Sequence, residues 1–167
     1  MILATRQRNY LQSGLYVVIV AIVATGLLER LLTYAEVAEK SAMEMTLSRL
    51  ESALYTRIAL LALQGDHQAL DALSTQSPFV TAHMNASNYL GEFVGVPLEI
   101  EPGHWLYDRL RHELVYVPSL TRYLHAPADG QSLPHLRFRL EVLKTSTTHY
   151  SRVSLSQVGT SSWTPPP

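Results

Sequence analysis

The chain has no cysteine among its 167 residues and almost no net charge. The lack of cysteine excludes disulfides, thiolate metal sites and a cysteine nucleophile. The 13 lysines and arginines nearly balance the 14 aspartates and glutamates, and the formal net charge at pH 7 is −1. A nucleic-acid-binding domain needs a basic patch, and charged residues make up only 16% of this chain. We therefore expect no nucleic-acid partner.

Sequence motifs that carry chemistry are missing as well. The seven histidines show no metal-ligand spacing, and the His112-Glu113 pair is not followed by a second histidine at the distance of an H-E-x-x-H motif. The sequence also lacks a G-x-S-x-G motif, a P-loop and a paired-glycine dinucleotide fingerprint. A membrane-tethered enzyme would need a cleft with perturbed titratable groups, for which the sequence offers no candidate. We expect no catalytic residues, metal, cofactor or small-molecule substrate.

What the chain does contain is one uncharged apolar run from Leu15 to Leu28, LYVVIVAIVATGLL. A membrane-spanning helix needs roughly 20 apolar residues. Counting back to Tyr10 gives a helix of about 28 Å at ~1.5 Å per residue. We predict a transmembrane helix over residues 15–34, behind a short leader at residues 1–14.

The charges around the run predict the orientation of that helix. The leader carries Arg6 and Arg8 and no acidic residue, whereas the segment after the run mixes both signs. Positive charge stays on the cytoplasmic side, so we expect a cytoplasmic N-terminus and a single-pass protein with most of its chain outside.

Two other interpretations of the run stay open. A cleaved secretory signal needs a small-residue site after the apolar region. The partial match at residues 24–26 lies inside the run, which itself ends unfavourably in Leu-Leu-Glu-Arg. The other interpretation is a buried helix of a soluble protein.

The stretch from Thr33 to Leu63 has neither proline nor glycine. Apolar residues recur there at spacings of 3, 4, 4 and 3, as expected for one face of a helix. We predict an amphipathic continuation of the helix over residues 35–65, ended by Gly65. Its apolar face is either a core facing a sheet or a seam between subunits; it consists of Leu47, Leu50, Leu54, Ile58 and Leu61.

The remaining residues predict a small domain over 66–158, followed by a disordered tail over 159–167. The fold class is α+β, with the long helix packed on a small antiparallel sheet. Three aromatic residues, Trp105, Tyr107 and Tyr116, either mark a binding surface or pack across strands. The predicted elements are a short helix at Gln68–Leu73, a connecting region over 77–103, a hairpin of His104–Tyr107 with Glu113–Val117, and strands at Leu136–Leu143 and Tyr150–Val158.

A charged leader, a glycine before an apolar helix, an amphipathic continuation and a C-terminal β domain follow one another here. The stretch from Leu28 to Glu44, LERLLTYAEVAEKSAME, has the character of a pilin helix just beyond the membrane. In this layout the chain resembles type IV pilins and the pseudopilins of type II secretion systems. Three later segments resemble the globular part of MSHA-type pilin-like proteins; they read NYLGE (88–92), PGHWLYD (102–108) and LVYVP (114–118).

The resemblance implies a structural minor subunit of a type IV pilus or of a type II secretion pseudopilus. A prepilin peptidase would cut between Gly14 and Leu15. The protein would sit in the bacterial inner membrane with a periplasmic C-terminal domain, and its partners would be membrane lipid and other pilin-like subunits. The assembly contacts would involve Ile19, Glu29 and Arg30. The alternative for the last two residues is solvation at the membrane surface.

Two positions depart from the family pattern. Most members have Phe where this chain has Leu15, and Glu where it has Ile19. The family glutamate is thought to pair with the N-terminal amine of a neighbouring subunit, since a carboxylate in lipid is costly unless paired. Its loss fits a minor or initiating subunit with no subunit above it. It also fits the alternative of an uncleaved bitopic membrane protein that acts as a periplasmic interaction scaffold.

Overall fold

The computed structural model describes residues 2–97, 99–125, 134–146 and 149–166. One long helix is followed by short helices and by two small sheets. In chain order the elements are α1 (Ile2–Gln64), α2 (His67–Ala72), a 3₁₀ turn (Leu73–Thr75), α3 (Pro78–Thr81), β1 (Tyr89–Phe93), β2 (His104–Asp108), β3 (Glu113–Val117), β4 (Leu124–His125), β5 (Leu136–Ser146), β6 (His149–Val158) and β7 (Ser162–Trp163).

Helix α1 is continuous over 63 residues, which corresponds to about 95 Å at 1.5 Å per residue. It joins the predicted apolar and amphipathic stretches into one rod and also takes in the leader from Ile2. The helix ends at Gly65, as predicted, because this residue adopts a left-handed φ of 70°. There the N–H groups of Gly65 and Asp66 bond back to the carbonyls of Ala62 and Leu61, which closes the helix end.

The main sheet has five strands in the order β1-β2-β3-β5-β6. Its antiparallel hairpin β2–β3 and strands β5 and β6 lie where the sequence predicts them. The predicted connecting region over 77–103 is wrong in part, because it contains α3 and β1. Strand β1 pairs parallel to β2 with an irregular register, so the sheet is only mostly antiparallel. Gly91, with a φ of 108°, lies inside this strand where the register shifts, and it obscures the strand's signal in the sequence.

The first part of the apolar stripe of α1, Leu47 to Leu54, packs on one face of this sheet. Its last two members, Ile58 and Leu61, form a second buried cluster with Leu70 and Leu73. The burial of the stripe confirms its core interpretation. Leu50 and Leu54 have no exposed surface. Trp105 and Tyr116 are direct cross-strand partners with ring centroids 4.6 Å apart, and Tyr107 is buried too, so these aromatics stabilise the sheet. The main core comprises Met43, Leu50, Leu54, Phe79, Trp105, Leu114, Tyr116, Leu136, Phe138, Leu140, Leu155 and Trp163.

The opposite face of the sheet has a smaller core of its own. Leu106, Val115 and Val117 are buried there beneath Ile100 from the loop that follows β1. Beside them, the buried Glu113 carboxylate lies 2.7 Å from a guanidinium nitrogen of Arg139. The loop therefore replaces the second helical layer that a larger α+β domain would have.

The predicted disordered tail over 159–167 is also contradicted. Residues 162–163 form β7, which pairs antiparallel with β4, and the Trp163 side chain is only 5% exposed. A composition of small residues and proline is typical of a disordered tail, but one tryptophan buries enough apolar surface to order the segment around it. Residues 66–166 are called the head domain below.

Candidate functional site

The exposed half of α1 is the most unusual surface of the protein. Every residue from 14 to 32 is exposed, and an 18-residue window of the helix has a mean hydropathy of 2.1 with none of it buried. Soluble proteins rarely expose an apolar surface this large, and such surfaces mark interaction sites with membranes or proteins. The protein therefore has one helix near its N-terminus that is long and apolar enough to cross a membrane.

The predicted processing and assembly residues all lie on this exposed half. Leu15 and Ile19 are 60% and 47% exposed, and nothing lies within 4 Å of the position of a Cβ at Gly14. Glu29 and Arg30, by contrast, lie where α1 meets the head domain. Met1 and the side chains of Arg6 and Arg8 lie outside the described structure.

A buried carboxylate marks the place where α1 meets the head domain. The Glu36 side chain is 2% exposed, and its Oε1 atom accepts two hydrogen bonds. The Trp163 indole Nε1–H donates at 2.8 Å and the Tyr123 backbone N–H at 2.9 Å. Glu36 thus joins the tail strand β7 and the segment before β4 to one point on the helix.

One turn further along α1, Glu39 forms a second attachment. Its Oε1 atom accepts the Tyr116 hydroxyl at 2.9 Å and the Ser119 N–H at 2.6 Å, and its Oε2 atom accepts the Leu120 N–H at 3.1 Å. Burial, followed by the hydrogen bond to Glu39 and its charge, raises the pKa of Tyr116 well above its usual value. Hydrogen bonds to a carboxylate are stronger than neutral ones, so α1 and the head domain are held in one register.

A third helix carboxylate, Glu51, accepts the Leu155 N–H of β6 at 2.6 Å. Helical spacing counts Glu36, Glu39 and Glu51 among the polar remainder of the amphipathic helix, an expectation that the burial of Glu36 contradicts. For the first two a signal was present, because the apolar stripe extends backward from Leu47 through Met43 to positions 36 and 39 at helical spacing. An acidic residue on the core side of a helix implies a buried carboxylate with donors facing it.

A cleft of about 290 Å³ lies between α1 and the head domain and includes both charged residues at the end of the apolar run. We call it the neck cleft. It is lined by Gly26, Glu29, Arg30, Tyr34, Arg122 and Tyr123. The Arg122 guanidinium carbon lies 5.7 Å from the centroid of the Tyr123 ring. Glu29 and Arg30 are therefore at a boundary between lipid-compatible surface and the head domain.

Asp108 and Tyr107, at the end of β2, have shifted pKa values, and Asp108 holds the turn after β2 through hydrogen bonds. Asp108 Oδ1 accepts the N–H groups of Gly95 and Leu110, both at 2.9 Å. Burial acts to raise the pKa of Asp108, but these hydrogen bonds and those from Arg111 bring it below its usual value. Burial raises the pKa of the neighbouring Tyr107 to about 12. Among the described residues, no group of three or more His, Asp or Glu side chains could hold a metal ion.

No protein-family model, curated protein sequence or solved structure matches this chain. Its function must therefore be inferred from the long helix and the surfaces around it.

Proposed function

We propose that this protein is a structural minor subunit of a type IV pilus or of a type II secretion pseudopilus. In this proposal residues 15–34 insert in the bacterial inner membrane, with the N-terminus in the cytoplasm and the head domain in the periplasm. The observation that carries the proposal is the two-part helix α1. Its residues 15–28 are apolar and exposed, and its later part is bound to a small sheet.

Such a helix suits a subunit that must leave the membrane and join a filament. The same apolar surface that contacts lipid can pack against the helices of other pilin-like subunits once it is extracted. The head domain is held to α1 by the Glu36 and Glu39 hydrogen bonds. The protein would therefore move as one rigid piece and contribute shape and contacts to the assembly.

The Gly14–Leu15 bond is proposed as the cut made by a prepilin peptidase. A protease needs an extended backbone at the bond it cleaves, so the helix has to open locally. Glycine inside a helix is less favourable than alanine by about 1 kcal/mol, which makes Gly14 a site where opening costs little. The absence of nearby atoms around Gly14 keeps the bond accessible.

Ile19 supports a position for this subunit at the tip of the filament. Without a carboxylate at this place, the helix has no acceptor for the N-terminal amine of a subunit above it. An initiating subunit needs no such acceptor, whereas a shaft subunit does.

A second candidate function is a permanently anchored bitopic scaffold for periplasmic interactions. Two observations favour it: Ile19 lacks the registration carboxylate, and α1 runs unbroken from Ile2 through Gly14. An uncleaved chain would thus already have a complete spanning helix.

Photo-crosslinking from a single cysteine tests the filament proposal. Because the chain has no native cysteine, a thiol-reactive benzophenone on Val23→Cys labels one point of the apolar half. We expect adducts with other pilin-like subunits, identified by mass spectrometry. The matched control is Leu63→Cys, an exposed position at the other end of α1. Equal adduct patterns at both positions, or adducts at Val23 with lipid alone, would contradict the proposal.

A further inference from the structure

We propose that the neck cleft binds the headgroup phosphate of one anionic phospholipid, with Arg30 and Arg122 as its ligands. The inference rests on the proposed function in one respect only, the insertion of the apolar half of α1 in a membrane. It adds a specific lipid as a partner of the helix–head junction, where the sequence predicts only ion pairs between subunits or solvation for Glu29 and Arg30.

The cleft lies at the depth of lipid headgroups. Its α1 residues run from Gly26 to Tyr34, a length of about 12 Å at 1.5 Å per residue. The uncharged apolar run ends within this stretch, at Leu28. Headgroup regions add roughly 5–8 Å on each side of the hydrocarbon core. The cleft therefore meets headgroups on the head-domain side of the membrane, whichever way the helix is oriented.

The charge of the cleft suits a phosphodiester. Two guanidinium groups and one carboxylate line it, so the formal charge of its lining is positive by one. Within the described residues, neither Arg30 nor Arg122 lies in an ion pair with a carboxylate. Glu29 precedes Arg30 directly, and adjacent residues on a helix do not face each other. A planar guanidinium is well suited to two-point binding of phosphate oxygens.

The shape of the cleft also suits a lipid rather than a large soluble ligand. Its volume of about 290 Å³ is just below the roughly 300–1,000 Å³ that small-molecule pockets occupy. Gly26 leaves the lipid-facing edge open, since nothing lies within 4 Å of a Cβ built there. An acyl chain of a lipid bound in the cleft would pass over Gly26 to the exposed apolar residues of α1.

Native mass spectrometry of the full chain in mild detergent tests the inference. The protein is titrated with phosphatidylglycerol or, separately, with phosphatidylcholine. We expect one retained phosphatidylglycerol per chain, with at least about fivefold preference over phosphatidylcholine, which corresponds to the effect of one basic residue at an anionic surface. Equal retention of the two lipids would overturn the inference.

Two variants and one control locate the site. Arg122→Gln should lower phosphatidylglycerol retention about fivefold, and Gly26→Leu should lower it by filling the open edge. The control is Arg109→Gln, which removes an exposed arginine from the turn after β2 and should leave retention unchanged. An equal loss in the control would show that charge in general, and not the cleft, holds the lipid.

Two further arms separate the sources of failure. Displacement of the lipid by inorganic phosphate at millimolar concentration would indicate a site for free phosphate and overturn the lipid assignment. Alkaline extraction of native membranes tests insertion independently. If the wild-type protein is extracted, the membrane anchor of the proposed function fails. If it stays in the membrane but shows no lipid preference, only the present inference fails.

Discussion

The Glu36 carboxylate gives the sharpest test of how α1 holds the head domain. Glu36→Ala removes the acceptor for the Trp163 indole and the Tyr123 N–H, which lie 2.8 and 2.9 Å away. The buried Trp163 donor left without a partner costs about 1–3 kcal/mol. The part-buried Tyr123 N–H adds a smaller cost because water can reach it, so the free energy of unfolding should fall by about 1–4 kcal/mol. In a chain of this size each kcal/mol shifts Tm by roughly 2–4 °C. We therefore expect a Tm at least about 2 °C lower.

The assay is thermal unfolding of the full chain in detergent micelles, followed by tryptophan fluorescence. Trp163 is one of two tryptophans in the chain, so its emission should shift to longer wavelength in the folded variant. The matched control is Glu44→Ala on the same helix. Glu44 is 58% exposed and forms only an i,i+4 pair with Lys40 at 3.7 Å, worth about 0.3–0.5 kcal/mol. Equal Tm values for the two variants would refute the role given to Glu36.

Three further predictions concern the core, the helix end and the response to alkali. Leu54→Ala should cost about 2–5 kcal/mol of unfolding free energy in chemical denaturation, because its side chain is fully buried, whereas Leu63→Ala, at an exposed site, should cost under about 0.5 kcal/mol. Gly65→Ala should cost about 1–2 kcal/mol in the same assay because of the left-handed backbone at that position. The raised pKa of Tyr107 means that the folded state keeps its phenol proton while the unfolded chain loses its own near pH 10. Stability should therefore fall from about pH 10 to about pH 12, and Tyr107→Phe should flatten this fall where Tyr55→Phe, at an exposed position, does not. The core argument fails if Leu54→Ala is as stable as Leu63→Ala. The helix-end argument fails if Gly65→Ala leaves the free energy of unfolding unchanged. The argument about alkali fails if the two tyrosine variants lose stability identically as the pH rises.

Periodicity made the largest element predictable. No proline occurs before Pro78, and the helical spacing of apolar residues from Leu47 to Leu61 is regular. Both features favour a helix by local physics alone. The hairpin of β2 and β3 was predictable for a similar reason, since two strand-forming stretches are joined by a short polar turn. The predicted strand over Leu136–Leu143 likewise lies within β5, because apolar and polar residues alternate along it.

The elements that were not predicted depend on long-range contacts. Strand β1 is short, contains Gly91 and pairs with β2 in parallel. The local sequence pattern therefore does not predict a strand there. Strand β7 is ordered by the burial of Trp163 against a helix 127 residues away along the chain. Such a contact cannot be predicted from the composition of a nine-residue tail.

The candidate functional surfaces were likewise predictable where they depend on local sequence and were missed where they depend on long-range contacts. The apolar half of α1 was predicted because hydropathy depends only on local composition. The Glu36 and Glu39 attachments were missed because a carboxylate in a sequence does not reveal which donors will face it. The neck cleft was not predicted. The sequence drew attention to Glu29 and Arg30 only as assembly contacts, and Arg122 comes from a distant part of the chain and meets them through the fold.

The mass of the mature protein in native membranes tests the central proposal most directly. Intact mass spectrometry should give a chain that begins at Leu15, and this form should disappear in cells that lack prepilin peptidase. That result would place the protein on the route of pilin-like subunits. A chain that still begins at Met1 or Ile2, unchanged by loss of the peptidase, would contradict the filament proposal and favour the bitopic scaffold.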